Sequence, residues 1–192
     1  MGGFCLFLFA VLLSVTECFP GGAPPTACVN VAPNPAAAGG HNADPQTSTV
    51  PYALTGLPPN GNYTPGMSYT LTLAGSANEM FRGYLVVATN GSQRVGSFTP
   101  DANGQVACDD NLGVTHINRN DKTTVSFTWT APAAGTGEVE FRFSVVMVQQ
   151  TYWANQLAMQ EGPSDGSAAY TSQGTLALIL LALLSLAMML GF

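Results

Sequence analysis

An all-β sandwich is the fold class this sequence predicts, and three observations predict it. Apolar and polar side chains alternate with a period of two in several short runs. Those runs are rich in β-branched and aromatic residues, which fit a pleated, half-buried surface. Gly, Pro and Asn interrupt the chain about every ten residues, the punctuation of short strands joined by turns.

The elements follow in chain order. Residues 21–47 are rich in Gly, Pro, Ala and Asn and lack periodicity, so an extended lead-in with little regular structure is expected. Residues 49–57 predict a first strand, placed at an edge because Pro51 lacks an N–H to donate. In residues 68–74, Tyr69, Leu71 and Leu73 alternate with Thr70 and Thr72, a half-buried strand. Residues 80–89 are more continuously apolar, as a central sandwich strand is. Asn90-Gly91-Ser92 turns the chain into a short strand over 93–98. Further short strands are expected over 106–108 and 113–117.

The clearest alternation spans residues 123–148. Val125, Phe127 and Trp129 alternate with Thr124, Ser126, Thr128 and Thr130. Pro132, Gly135 and Gly137 break the run, and then Val139, Phe141, Phe143, Val145 and Met147 alternate with Glu138, Glu140, Arg142 and Ser144. Spacing leaves open whether the two strands pair or face each other across a core. In either arrangement Phe127, Trp129, Phe141 and Phe143 belong to that core, at roughly 1.5–3 kcal/mol for each side chain fully buried. Residues 151–160 suit a last strand or a short helix.

The ends of the chain have a different character. Residues 4–15 are apolar and lead into Thr16-Glu17-Cys18, so residues 1–18 read as a secretory signal peptide cleaved after Cys18. The run is too short to serve comfortably as a membrane anchor. Leu6 stands where a myristoylation motif needs Ser or Thr. At the other end residues 175–192 are apolar, with no Lys or Arg after them. Before them come a linker (161–174) with the small residues Ser164, Asp165, Gly166 and Ser167, and a polar spacer over 170–174. That order is a glycosylphosphatidylinositol-anchor signal, with those four residues as candidate attachment sites. The alternative is a single membrane-spanning helix. One domain is left between the ends, residues 19–160 with its core in 28–153. The expected location is the extracellular face of the plasma membrane. Cys5 and Cys18 leave with the signal, so Cys28 and Cys108 remain as an even pair in an oxidising compartment, where a disulfide is expected. Asn62-Tyr63-Thr64 and Asn90-Gly91-Ser92 are N-glycosylation sequons placed among turn formers.

Within the domain the residues resemble the reeler (reelin-type) domain family. The resemblance is carried in order by Cys28, Pro35, His41, Pro51-Tyr52, and Tyr63-Thr64-Pro65-Gly66 leading into Tyr69-Thr70-Leu71. It continues through Phe81-Arg82-Gly83-Tyr84-Leu85, Val95-Gly96-Ser97-Phe98, Cys108 and Thr115-His116. It ends with Phe127-Thr128-Trp129-Thr130-Ala131-Pro132, Val139-Glu140-Phe141 and Tyr152-Trp153. It implies an immunoglobulin-like β-sandwich and the Cys28–Cys108 bridge. The family occurs alone in insect defence proteins and at the N-termini of reelin, spondins and ferric-chelate reductases, which suggests a recognition role, innate immunity included. Fold alone does not fix function.

Chemistry is sparsely encoded. Reductase activity of the ferric-chelate kind would belong to haem-bearing transmembrane helices, and the terminal apolar segment holds no His for axial ligation. The two His, His41 and His116, would need to meet before they served a metal, and no Cys/His cluster backs them. Each is expected to tie down a loop by hydrogen bonding. Asp109-Asp110 and Asp101-Ala102-Asn103-Gly104 lack the further ligands of a calcium loop. Zincin and phosphate-loop motifs are absent from the sequence. The expectation is therefore a non-enzyme with no cofactor and no metal. Five basic residues against eleven acidic give −6, which argues against nucleic acid and against strong binding of anionic glycolipid. A neutral glycan or another protein suits such a surface better, with the membrane as the second partner. A recognition module and a structural or adhesive surface glycoprotein are the two functions that fit. The stretches 58–66 and 113–122 are expected to be exposed loops available to a ligand.

Overall fold

Alternation along the chain becomes strand along the chain, in a computed structural model that describes residues 19–36, 40–59, 62–133 and 137–158. These residues form β1 (Tyr52–Thr55), β2 (Ser68–Gly75), β3 (Gly83–Asn90), β4 (Gln93–Arg94) and β5 (Ser97–Pro100). They continue with β6 (Gly104–Ala107), β7 (Gly113–His116), β8 (Thr124–Thr130), β9 (Glu140–Val148) and β10 (Thr151–Leu157). Two antiparallel sheets result. One has four strands in the order β1-β2-β8-β5; the other has six, β10-β9-β3-β7-β6, with β4 pairing off β3. β1 lies at an edge of its sheet, and Pro51 falls just before it, outside the strand.

The stretch 123–148 supplies one long strand to each sheet, so β8 and β9 face each other and do not pair. Val125, Phe127 and Trp129 of β8 point inward to meet Phe141, Phe143 and Val145 of β9. Trp129 is completely buried and meets Phe141 edge-on, ring centroids 4.9 Å apart. On β3 the alternation continues beneath an apolar surface: Tyr84, Val86 and Ala88 face this core, and Tyr84 stacks on Phe127 at 6.3 Å. Residues 151–157 take the strand alternative, and Trp153 of that strand joins the same core.

The other face of β3 is covered as well. Leu85 and Val87 pack under Ala27, Cys28 and Val31 of the lead-in. A continuously apolar β3 therefore has a reason on each side: one face meets the opposite sheet, the other meets residues 19–36. The lead-in is more ordered than its composition predicts. It contains a helical turn, α1 (Ala27–Asn30), closed by Val31 in the left-handed conformation. Cys28 on α1 is bonded to Cys108 after β6, with Cα atoms 5.5 Å apart and a sequence separation of 80. The lead-in also covers the β10 edge, where Gln46 N–H donates to Tyr152 O (2.8 Å) and Asn155 N–H donates to Val31 O (3.0 Å).

Three expectations need correction. Residues 93–98 form two strands: β4 pairs with β3, while β5 crosses to the opposite sheet and pairs with β8. The division falls at Gly96, whose φ of +74° bends the chain. The strand predicted at 106–108 lies at Gly104–Ala107, and Cys108 begins a left-handed run that continues through Asp109, Asp110 and Asn111. The stretch 113–122 is a loop only in its second half, because Gly113–His116 is the buried strand β7.

Candidate functional site

A pocket of about 240 Å³ lies between the lead-in and the outer face of the six-stranded sheet. Its sheet side is Gly83 and Leu85 of β3, His116 of β7, and Ser144 and Val146 of β9. Its lead-in side is formed by residues 19–20 and 22–24, by Ala27 and by Ala32, Pro33, Asn34 and His41. Arg82, Arg119, Val148 and Gln149 complete it.

Gly83 makes room for His116. A Cβ at position 83 would lie 3.1 Å from His116 Cε1 and 3.4 Å from Val146 Cβ. With no side chain there, the imidazole lies against the strand and Tyr84 N–H donates to His116 Nδ1 (3.3 Å). The neighbouring Thr115 hydroxyl donates to Tyr84 O (2.6 Å) and accepts from Ala23 N–H (3.0 Å), which ties the lead-in to β7. Burial holds the His116 imidazole below its ordinary pKa, and the Lys122 charge adds to the same effect; hydrogen bonds with the Tyr84 and Phe19 backbones partly oppose it. His116 is therefore neutral at physiological pH. Ser144 Oγ donates to Val31 O and accepts from Asn155 N–H, fixing the opposite margin of the lead-in. His41 hydrogen-bonds Gln149 O through Nδ1, and its ring lies 4.9 Å from that of Tyr152. Each His does tie down a chain segment, and the two meet at one pocket, which their sequence positions did not show.

The cationic residues are held by the segment after β7. Lys122, 8% exposed, donates to Arg82 O (3.2 Å), Asn118 O (2.9 Å) and Asn120 O (2.7 Å). That gathers residues 118–122 into a tight turn beside β3, with Arg119 on it. Arg82 Nε donates to Asp121 Oδ1 at 2.7 Å. Among the described residues Arg119 makes no ion pair. Two of the chain's five basic residues are thus brought to one pocket, although in sequence the basic residues look scattered. Among the described residues no Asp or Glu lines it. Gly83, in an otherwise apolar run, and the bridge between lead-in and sheet were the signals of this site in the sequence.

The other predicted site residues lie elsewhere. Phe127, Trp129, Phe141 and Phe143 are all buried between the sheets. Asn62 is exposed, whereas Asn90 Nδ2 donates to Glu138 O (2.8 Å). Tyr63, in the stretch 58–66, packs on Trp129 with ring centroids 5.7 Å apart, and no described residue of that stretch lines the pocket. Residues 1–18, the candidate attachment residues Ser164, Asp165, Gly166 and Ser167, and the tail 175–192 lie outside the described residues. Among the described residues no helix is long and apolar enough to cross a membrane, and no group of three or more His, Cys, Asp or Glu is placed to hold a metal ion.

Comparison with known proteins agrees with this architecture. "Putative defense protein 3" of Antheraea mylitta is 37% identical over 145 residues, 73% of this chain and 84% of that protein. "Putative ferric-chelate reductase 1" of Xenopus laevis is 28% identical over 162 residues, 80% of this chain but 25% of that protein. The crystal structure of the human F-spondin reeler domain has a TM-score of 0.50 at 22% identity, covering 62% of this chain and 90% of that one; this likeness is one of fold. The model of the Reeler domain family matches residues 26–162, and with that match and the identity to the defense protein the chain belongs to the Reeler domain family.

Proposed function

We propose that this chain is a non-catalytic extracellular binding module, held at the cell surface by its C-terminal segment and serving recognition of the defence kind. The observation that carries the reading is the pocket. It is a concave, mostly apolar recess with a few convergent polar groups, the usual form of a small-ligand site. A disulfide and a set of backbone hydrogen bonds hold its lead-in side against the sheet. Similarity to a protein described as a defense protein supports the recognition role. The similarity to a ferric-chelate reductase covers a quarter of that protein and supports a shared module, with reduction left to that protein. The chain's net charge of −6 favours a neutral glycan or a protein as the larger partner.

Binding of the purified protein to whole microbes and to a glycan array tests the role. Saturable binding supports recognition; self-association, or adhesion to matrix alone, would replace it with a structural role. Release of the intact protein from cells by a phosphatidylinositol-specific phospholipase would identify a lipid anchor, and resistance would identify a membrane-spanning tail. Loss of mass on peptide-N-glycosidase treatment would show use of the Asn62 and Asn90 sequons, with exposed Asn62 expected to be the more fully modified.

A further inference from the structure

We propose that the pocket takes a small amphiphilic carboxylate, with its head group at Arg119 and its hydrocarbon between the lead-in and β3. The proposal rests on reading the chain as a binding module and names the ligand class of that same pocket. Size sets the first limit. A cavity of roughly 150 Å³ holds benzene, so about 240 Å³ suits a ligand of about ten non-hydrogen atoms. Lining sets the second. Pro24, Ala27, Leu85 and Val146 offer no hydrogen-bonding side chain, so the body of the ligand is apolar.

Charge sets the third. The chain as a whole is acidic, but among the described residues no carboxylate lines this pocket and two arginines do. Arg82 is already engaged by Asp121, while Arg119 makes no ion pair among the described residues. His116 is neutral in its buried position, so it adds no charge to the pocket. An anionic head is thus complementary at one place, and a planar carboxylate matches the fork of a guanidinium. A neutral alcohol of the same length would leave Arg119 unanswered, and an ammonium would be repelled.

Calorimetry on the full chain in phosphatidylcholine nanodiscs, with empty discs subtracted, tests this with octanoate, octanol, octylammonium and acetate. Saturable binding is expected for octanoate alone. R119Q should weaken it about tenfold, the loss of one charge-assisted contact. Arg119 is exposed and makes no ion pair among the described residues, so R119Q should leave the near-ultraviolet circular dichroism unchanged. V148W, at an exposed position on the pocket margin, should weaken octanoate binding by obstruction. Octanoate heats equal to those of empty discs, equal binding of octanol, or an R119Q protein that binds as the parent does would each overturn the assignment. Microbial or glycan binding that neither octanoate nor R119Q disturbs would sink the pocket ligand and leave the recognition role intact. Octanoate binding without any microbial or glycan binding would do the reverse.

Discussion

His116 carries an acid sensitivity that follows from where it sits. Burial lowers its pKa in the folded protein below the ordinary value of 6.5, so between those two values the unfolded chain binds the proton more readily. Stability is therefore highest above about pH 6.5 and is lost as pH falls toward and through the folded pKa. Urea midpoints at pH 7.5 and 5.5 should show the loss, and H116Q should flatten that part of the profile. A parent protein equally stable at both values would contradict the burial of this ring. Tyr84 offers a second test. Its hydroxyl is buried and unpartnered among the described residues, and burial followed by the Asp101 charge pushes its pKa up. An unsatisfied buried hydroxyl costs roughly 1–3 kcal/mol, so Y84F should hold stability or raise it by about 1 kcal/mol in urea denaturation. A clear loss would mean that the hydroxyl has a partner. The place of Tyr84 in a central strand was legible from its apolar neighbours. Its orphan hydroxyl was not, because satisfaction of a buried group depends on atoms from distant parts of the chain.

Strand faces were the most legible feature of the elements, and sheet membership the least. A period of two assigns Phe127, Trp129, Phe141 and Phe143 to a core whether β8 and β9 pair or oppose each other, so alternation alone was silent on their relation. The same limit hid the division of residues 93–98. Gly96 is visible in the sequence as a breaker, but the reason for it is Trp129, more than thirty residues away. A Cβ at Gly96 would come within 2.6 Å of Thr130 O and Trp129 Cε2, in a backbone already at φ +74°. Val95 O just before it accepts from Trp129 Nε1 at 3.2 Å. G96A should therefore cost about 2–4 kcal/mol, the left-handed penalty plus the collision. Gly66 provides the control: its φ is +72°, and a Cβ there would meet nothing within 4 Å. G66A should cost only the left-handed penalty, about 1–2 kcal/mol. Equal losses by urea denaturation would remove the role assigned to Trp129 packing.

At the largest scale the described residues form three layers, and the third is fastened differently from the other two. The sheets share a continuous apolar core, while the lead-in rests on a smaller cluster with the Cys28–Cys108 bond at its centre. The pocket lies between that third layer and its neighbour, which explains why the sequence signalled it only at Gly83 and the cysteine pair and left its lining unmarked. Its side chains come from positions as distant as 41, 82, 116 and 119, and a lead-in without periodicity announces no face. Closing a loop of 80 residues stabilises by about 4–5 kcal/mol in the chain-entropy account. That gain should fall unevenly. Replacing both cysteines by serine should accelerate hydrogen exchange first at Gln46 and Asn155, whose N–H groups join the lead-in to the β10 strand. Amides of the β3–β9 ladder, between two covered faces, should slow-exchange as before except through global unfolding. Ligand binding at the pocket should weaken with the lead-in even where the sandwich stays folded, because one side of the recess is lost. Parallel acceleration of both sets of amides would show instead that the bond clamps the entire sandwich, and the lead-in would then be an integral part of one cooperative unit, not a separable cover.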